Sequence, residues 1–262
     1  MKPLLGGTHL VTGGGGAIGA QICRSTAEWG AERVLVADID GDAAARTAAG
    51  IAVAEPVQLD VADPPSVESL VRGLEADGQS LAGLVNAAGI FGRHAFPEND
   101  RDEWDRVLHV NLVGCYSLVV AAMGLLTPGG AVVNITSVEG LMVLSTSGTS
   151  QPPYAASKGA LQILTKTLAA DLAPNAIRVN AVAPGYVETP LNAAVLNDPS
   201  RRAYIESRIP LGPRLGDPTD IAEVVCFLLS RAAKYVTGQT VVADGGLGLG
   251  VIRYPDREVR QP

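Results

Sequence analysis

Residues 8–38 read THLVTGGGGAIGAQICRSTAEWGAERVLVAD, and this stretch decides the fold class. Residues 8–12 form an apolar run that predicts a strand, residues 18–29 have helical periodicity, and residues 33–37 predict a second, β-branched strand. Parallel strands need a crossover of about this length, usually a helix. The stretch therefore predicts a βαβ unit with a glycine cluster between its first strand and its helix.

The same alternation continues along the chain. We predict further strands at residues 57–59, 81–85, 131–135, 177–182 and 240–242. We predict helices at residues 64–76, opening at Asp63, and at residues 102–126, 154–172 and 218–228. This order indicates an α/β fold, with a doubly wound parallel sheet of about seven strands and helices on both faces, in a single domain spanning residues 1–262.

A long Pro-rich stretch lies between the last two predicted strands. It contains two short helical patterns and is too long to be a simple connection. Because such segments are often binding loops, we expect residues of about 186–217 to form a substrate-binding loop. Residues 251–262 are expected to be an irregular, charged tail.

Composition argues against several classes of function. The formal net charge is −7 and Lys and Arg are not clustered, so the basic surface that nucleic acids require is missing. The N-terminus lacks a basic flank followed by a long apolar run, and no segment approaches the roughly 18 apolar residues of a membrane span. We therefore expect a cytoplasmic protein that acts on a small molecule, with no nucleic-acid or membrane partner.

The cysteines and histidines do not indicate a metal site. Cys23, Cys115 and Cys226 are far apart in apolar, helix-like stretches and lack the spacing of zinc ligands or redox pairs. The three histidines also lack metal-ligand spacing. We expect buried, unreactive thiols and no metal.

The glycine cluster has the position of a phosphate-binding loop. TGGGGAIG, residues 12–19, follows a strand and opens a helix, where backbone N–H groups can hold a pyrophosphate. Gly14, Gly16 and Gly19 fit G-x-G-x-x-G, whereas Gly13, Ala17 and Gly19 fit TGxxxGxG with alanine for the middle glycine. Taken alone, the cluster also fits a flexible turn into a helix.

Asp38 ends the second strand, 19 positions beyond Gly19. A carboxylate there is expected to accept hydrogen bonds from the adenosine ribose hydroxyls. It would repel the 2′-phosphate of NADP, and neither the glycine loop nor residues 39–41 supply a neutralising Arg or Lys. We therefore predict NAD as the cofactor. The alternative is that Asp38 is a helix cap or a solvated strand end.

Tyr154 and Lys158, in YAASK, lie one helical turn apart, so their side chains can touch. A tyrosine base needs a pKa about two to three units below its usual value near 10, which a neighbouring ammonium and a nicotinamide cation would favour. A tyrosine packed on a lysine stem would explain the pair equally well. Ser137 follows a buried strand at the sheet edge where ligands bind, and its hydroxyl can orient a carbonyl or alcohol oxygen.

Together, these motifs resemble those of the short-chain dehydrogenase/reductase family over essentially the whole chain. The matching segments are TGGGGAIG, Asp38, LDV at 59–61, VNAAG at 85–89, HVNL at 109–112, ITS at 135–137, YAASK at 154–158 and APGYVET at 183–189. The resemblance implies a Rossmann-like fold and hydride transfer between NAD(H) and a secondary alcohol or ketone. Members with this C-terminal pattern are usually homotetramers, which we expect here.

The resemblance also implies roles for individual residues. Tyr154 would be the general acid/base, Ser137 would polarise the reacting oxygen, and Lys158 would hold the nicotinamide ribose and lower the pKa of Tyr154. Asn111 would anchor a water that links Lys158 to solvent. The implied cofactor contacts, with Asp60 and Val61 at the adenine and Thr189 at the carboxamide, are Gly13, Gly15, Gly16, Ala17, Ile18, Gly19, Asp38, Asp60, Val61, Asn86, Ala87, Ala88, Gly89, Tyr154, Lys158, Pro184, Gly185, Val187 and Thr189.

The sequence departs from the family pattern at two places. Ala17 tolerates positive φ less well than glycine, so we expect a slight shift of the loop. Ser137 and Tyr154 are 17 positions apart, wider than the family norm, and the insert STSGTSQPP lies between them. We prefer Ser137 as the catalytic serine because it directly follows a strand, although the insert offers the rivals Ser145, Ser147 and Ser150.

The first functional hypothesis is an NAD-dependent dehydrogenase of a secondary, polyol or cyclic alcohol. An NADPH-dependent ketone or 3-oxoacyl reductase is the alternative, against which Asp38 argues. A non-catalytic dinucleotide-binding sensor would be expected to have lost Tyr154 or Lys158. Residues 91–97, 138–153 and 186–211 would line the substrate pocket, and no charged pair among them indicates a carboxylate or phosphate substrate.

Overall fold

The computed structural model describes residues 5–144, 150–212 and 214–250. Its seven strands are β1 (Thr8–Thr12), β2 (Arg33–Asp38), β3 (Ala54–Gln58), β4 (Leu81–Asn86), β5 (Leu126–Ile135), β6 (Arg178–Pro184) and β7 (Thr240–Ala243). They form one parallel sheet in the order β3-β2-β1-β4-β5-β6-β7. The predicted single, doubly wound Rossmann-like domain is confirmed, and residues 251–262 lie outside the described part.

The helices cover both faces of the sheet. They are α1 (Ala17–Glu28), α2 (Gly41–Ala48), α3 (Pro64–Ala76), α4 (Arg101–Leu108), α5 (Cys115–Ala122), α6 (Pro152–Leu172), α7 (Ala193–Leu196), α8 (Pro199–Ser207) and α9 (Pro218–Leu229). Leu10 of β1 packs in the core with α3, α5 and α6, whereas the next residue, Val11, packs in the core with α1, α2 and α9. Burial on both faces explains why the central strands are apolar without alternation.

Strand order reverses between β1 and β4, which lie side by side although two strands and three helices separate them in sequence. β1 continues to β2 on one side, and the later strands extend the sheet on the other. At such a switch point the loops after adjacent strands diverge and leave a crevice at the carboxyl edge of the sheet. The glycine cluster follows β1 at this edge, so the fold places it at the crevice.

The long helix predicted at residues 102–126 is interrupted. Between α4 and α5 the segment His109–Gly114 is π-helical, a turn of 3-10 helix follows at Met123–Leu125, and Leu126 already belongs to β5. Helix α2 was not predicted, and β3 lies a few residues earlier than predicted. The spacing of apolar residues does not reveal a π-helical turn, because the one extra residue in that turn shifts the following apolar positions by a fraction of a helical turn.

The run Arg101–Leu125 is long and apolar enough to cross a membrane by length and composition, so the expectation that no segment approaches that limit is wrong. The polar residues His109 and Asn111 interrupt the run in sequence without making its average polar. One side, including Val107 and Leu118, is buried in the domain. Its other side exposes apolar side chains, namely Val113, Tyr116, Val120 and Met123.

The three cysteines are buried, as expected. Burial raises the pKa of the Cys23 thiol to about 12 and that of Cys115 to about 11. Because the thiolate is the reactive form, both side chains behave as small apolar groups near neutral pH.

Candidate active site

The glycine cluster makes a tight turn between β1 and α1. Gly13 has φ +66°, a conformation that favours glycine, and a Cβ there would lie 2.8 Å from the backbone nitrogen of Ala88. A Cβ at Gly19 would lie only 2.0 Å from the carbonyl oxygen of Gly13. Ala17 is the first residue of α1, with φ outside the positive region. The structure thus fits the TGxxxGxG register, and the expected strain at Ala17 is absent.

The start of α1 differs from that of most other helices. Five helices have an N-cap aspartate whose carboxylate accepts backbone N–H groups; these residues are Asp40, Asp63, Asp100, Asp198 and Asp217. Gly16 caps α1 without a side chain, so its first N–H groups have no side-chain acceptor. An anion such as pyrophosphate can supply the missing acceptor and interact favourably with the helix dipole.

Asp38 is fixed beside the glycine turn by backbone hydrogen bonds. Its Oδ2 accepts the N–H of Gly15 at 2.9 Å, and its Oδ1 accepts the N–H of Asp40 at 3.0 Å. The described residues that line the adjoining groove include Asp38 and Asp60 but no Arg or Lys. The carboxylate is therefore positioned to accept hydrogen bonds from a ligand, and the groove has no cation to balance a second negative charge.

A groove of about 350 Å³ runs from Asp38 along the glycine turn and meets a pocket of about 100 Å³ around Tyr154. All predicted cofactor contacts except Gly15 and Asn86 line one or both cavities. Asn86 is buried and does not line either cavity, and its Nδ2 donates to Asn134 Oδ1 at 2.8 Å. Its side chain instead ties β4 to β5 beneath the groove.

Tyr154 and Ser137 meet in the pocket. Their hydroxyl groups form a hydrogen bond, and Ser137 Oγ also accepts the N–H of Glu139 at 3.1 Å. The ring of Phe91 packs edge-on against that of Tyr154, with 4.2 Å between centroids. Ser150 is not among the lining residues, and Ser145 and Ser147 lie outside the described residues. Of the serines that the structure describes, Ser137 is thus the one that lines the pocket with Tyr154.

The protein's own groups hold the pKa of Tyr154 above its ordinary value. Burial disfavours the phenolate most, and the Glu139 carboxylate adds charge repulsion, whereas the hydrogen bond from Ser137 acts in the opposite direction. The expected lowering by Lys158 does not appear: its Nζ lies 5.6 Å from the ring centroid, and burial lowers the pKa of Lys158 itself. A positive charge supplied by a ligand would be needed to favour the phenolate.

Lys158 is held at the bottom of the site. Its Nζ donates to the carbonyl oxygen of Ile135 at 2.8 Å. A Cβ at Gly89 would lie 3.2 Å from that Nζ and 3.5 Å from Oδ1 of Asn111. A glycine at position 89 therefore leaves open a narrow gap that both polar side chains face.

The side chain of Asn111 makes three hydrogen bonds within the protein, which leave one acceptor position on Oδ1. Its Oδ1 accepts the N–H of Ile90 at 2.8 Å, while Nδ2 donates to the Ile90 carbonyl at 2.9 Å and to Ser157 Oγ at 3.1 Å. Asn111 lies in the π-helical segment, a feature that is frequent at functional sites. Its side chain ties the loop after β4 to α6, the helix that carries Tyr154 and Lys158.

Sequence reasoning missed several contributors. Thr12 Oγ1 accepts the N–H groups of Ala87 and Ala88, both at 3.2 Å, and so joins the loops after β1 and β4. Glu139 lines the pocket within the predicted range 138–153, but it was not singled out, although it stands two residues beyond Ser137. The pocket also draws Tyr186 and Asn192 from the predicted substrate loop.

A family model described as enoyl-(acyl carrier protein) reductase matches residues 15–248. The chain is 38% identical to 2-(S)-hydroxypropyl-CoM dehydrogenase 3 of Xanthobacter autotrophicus, over 90% of this chain and 94% of the relative. It is 38% identical to a galactitol 2-dehydrogenase (L-tagatose-forming) of Cereibacter sphaeroides, over 92% and 94%. A 3-oxoacyl-acyl-carrier-protein reductase of Thermotoga maritima is 36% identical, over 93% and 98%.

Solved structures give the same result. A putative gluconate dehydrogenase from Agrobacterium tumefaciens superposes with a TM-score of 0.88 at 32% identity, covering 95% of this chain and 98% of that one. A gluconate 5-dehydrogenase from Burkholderia cenocepacia, in complex with NADP and tartrate, has a TM-score of 0.84 at 34% identity, covering 93% and 96%. The likeness therefore extends over the whole domain.

Proposed function

This chain belongs to the short-chain dehydrogenase/reductase family, and from that premise we propose that it transfers a hydride between NAD(H) and a secondary alcohol or ketone. Membership makes it an oxidoreductase that acts on CH–OH groups. The observation that carries the proposal is the buried pair of hydroxyls on Ser137 and Tyr154, which opens onto the groove that ends at Asp38.

In the proposed reaction, Ser137 and Tyr154 hold the substrate oxygen between their hydroxyl groups. During oxidation Tyr154 takes the hydroxyl proton of the alcohol, and during reduction it returns a proton to the carbonyl oxygen. When bound in the groove, NAD would accept the hydride of the carbinol carbon and supply a positive charge that favours the phenolate of Tyr154. Lys158 would hold the nicotinamide ribose and Asn111 would anchor the water that reconnects Lys158 to solvent.

NAD is proposed over NADP because of Asp38. Two backbone N–H groups fix its carboxylate at the adenosine end of the groove, and the described lining there offers no cation for a 2′-phosphate. The uncapped start of α1 and the close packing of Gly19 on Gly13 fit a pyrophosphate, whichever of the two cofactors is bound.

The reverse reaction with NADPH is the second candidate. The similarity to a 3-oxoacyl-acyl-carrier-protein reductase favours it, as does a structural neighbour that holds NADP. The environment of Asp38 argues against it. A non-catalytic sensor is disfavoured because Tyr154, Lys158 and Ser137 all lie together in the pocket.

The test measures kcat/KM for NAD and for NADP with a panel of secondary alcohols, by absorbance of the reduced cofactor. We expect NAD to be preferred, and Asp38→Ala to lower kcat/KM about tenfold with NAD while leaving NADP unchanged or better, because repulsion is removed. Asp42→Ala is the matched control, since it removes an exposed carboxylate from the first turn of α2.

If Asp38→Ala lowered kcat/KM equally with NAD and with NADP, Asp38 would not discriminate between the two cofactors at the adenosine ribose. Absence of cofactor turnover by the wild type, with alcohols and with the corresponding ketones, would overturn the proposed function itself.

We also propose a homotetramer. The exposed apolar side chains of Val113, Tyr116, Val120 and Met123 on the α5 side support it, as does the fully exposed ring of Tyr235 before β7. A second copy of the chain would cover such surfaces.

A further inference from the structure

The pocket around Tyr154 contains a carboxylate that the proposed reaction does not use. Glu139 lies in the 3-10 turn Val138–Gly140, which Ser137 precedes directly, and it lines the pocket. Among the described lining residues the other charged side chain is Lys158, whose Nζ already donates to the Ile135 carbonyl. Glu139 is therefore the pocket's one carboxylate in the described lining.

No described side chain or backbone group donates a hydrogen bond to the Glu139 carboxylate within residues 5–144, 150–212 and 214–250. In the described part of the chain, Glu139 forms one hydrogen bond, in which its backbone N–H donates to Ser137 Oγ. The side chain is half-buried, and burial raises the pKa of Glu139 to about 7. Partial burial of an acceptor without a donor costs stability.

The carboxylate also opposes the chemistry. Its charge raises the pKa of Tyr154, so it disfavours the phenolate that alcohol oxidation needs. The Glu139 carboxylate thus costs stability and opposes phenolate formation, and it has no hydrogen-bond donor among the described residues. A donor on the substrate would explain why it lies in the pocket. A donor from the substrate would satisfy the carboxylate and weaken its repulsion of the phenolate.

We propose that Glu139 is a specificity-determining residue that accepts a hydrogen bond from a donor on the carbon next to the reacting carbinol. The substrate class is accordingly a vicinal diol or polyol, and a molecule with an anionic group on that carbon is rejected. This inference rests on the proposed function, because it assumes that Ser137 and Tyr154 hold the reacting oxygen. Glu139 lines the same pocket as Ser137 and Tyr154, and its charge acts on Tyr154, which places its carboxylate near the position proposed for that oxygen.

The test compares three substrates of one carbon skeleton: butane-1,2-diol, 1-aminobutan-2-ol and 2-hydroxybutanoate. Their neighbouring groups are respectively neutral, cationic and anionic. kcat/KM is measured with NAD at pH 9, where Glu139 is ionised, for the wild type and for Glu139→Gln. Glu75→Gln is the matched control, because it removes an exposed carboxylate on α3, away from the pocket.

We expect the wild type to oxidise the diol at least tenfold better than the hydroxy acid. In Glu139→Gln, the ratio of kcat/KM for the diol to that for the hydroxy acid should fall about tenfold, and kcat/KM for the amino alcohol should fall too. The reason is that the negative charge that repels the anion and attracts the cation is gone. Glu75→Gln should match the wild type. NADH affinity, measured by fluorescence, should be unchanged in both variants, which shows that each retains the fold.

An unchanged ratio in Glu139→Gln overturns the inference while the proposed function stands. Turnover of simple secondary alcohols without turnover of the diol does the same. Failure of every alcohol and ketone with wild-type protein overturns the proposed function, and the inference with it.

Discussion

The two halves of the site are built by different means. The nucleotide half is made of backbone, with the turn at Gly13 and Gly19 and two N–H groups that fix Asp38. The proposed catalytic half is made of buried side chains. The hydroxyl of Tyr154 meets that of Ser137, and the ammonium of Lys158 donates to the carbonyl oxygen of Ile135, which is 23 positions away in sequence. The first half is determined by a short stretch of sequence, whereas the second is assembled by the whole fold.

This difference implies that substitutions in the two halves have separate effects. A substitution in the glycine turn should weaken cofactor binding, because the phosphate contacts are lost. Damage to a catalytic side chain should abolish turnover and leave the cofactor bound. The following changes test that separation.

The largest effect is expected for Tyr154→Phe. The substitution deletes the proton-transfer hydroxyl and little volume, so kcat should fall at least about a thousandfold. NADH affinity, measured by fluorescence titration, should stay within a few-fold of wild type. A kcat near the wild-type value would show that Tyr154 is not the proton-transfer residue. A loss of NADH affinity in this variant would show that the two halves do not act independently.

Gly19→Ala tests the nucleotide half. The new methyl would lie 2.0 Å from the Gly13 carbonyl oxygen, so the turn must move, and the dissociation constant for NADH should rise about a hundredfold. Gly73→Ala is the control, since a Cβ there has nothing within 4 Å and α3 should gain slightly in stability. Unchanged NADH affinity in Gly19→Ala would contradict the packing of this turn.

A smaller effect concerns His9, in the strand that leads to the glycine turn. Its ring is buried, and this burial lowers its pKa to about 4. The unfolded chain, with a pKa near 6.5, therefore binds more protons than the folded protein between these values. Lowering the pH from 7 to 5 should cost about 2 kcal/mol of unfolding free energy through this group.

Urea titrations at several pH values measure this contribution. His9→Gln removes the titrating ring, so the stability loss on acidification should be smaller in the variant than in wild type. NADH affinity at pH 7 should be the same in both, which separates strand stability from cofactor binding. Identical pH dependence in the two proteins would show that His9 does not titrate on unfolding.

The sequence predicted the nucleotide half and the sheet well for a physical reason. β1, α1 and β2 are contiguous, and a strand end, a glycine turn and Asp38 need only local geometry to meet. The proposed catalytic side chains were singled out by motif, yet their hydrogen bonds were not predicted. The bonds from Asn111 to Ser157 and from Asn86 to Asn134 join residues 46 and 48 positions apart, and no local pattern specifies such pairs.

The misses have similar causes. Glu139 was overlooked because a carboxylate in a polar turn is ordinary in sequence, and its meaning depends on the pocket that α6 and β5 form around it. The π turn at Asn111 was overlooked because it changes the helix by one residue within an apolar run. The raised pKa of Tyr154 reflects burial and Glu139 together, which only the folded chain brings into contact.

The most direct measurement is of hydride transfer itself. A secondary alcohol deuterated at its carbinol carbon is incubated with the wild-type protein and NAD, and the reduced cofactor is analysed by mass spectrometry. The account predicts one deuterium per molecule of NADH formed, with Tyr154→Phe forming at least about a thousandfold less. Formation of NADH without deuterium would contradict the central claim. So would the lack of any NADH formation with the alcohols together with the lack of any NADH oxidation with the corresponding ketones.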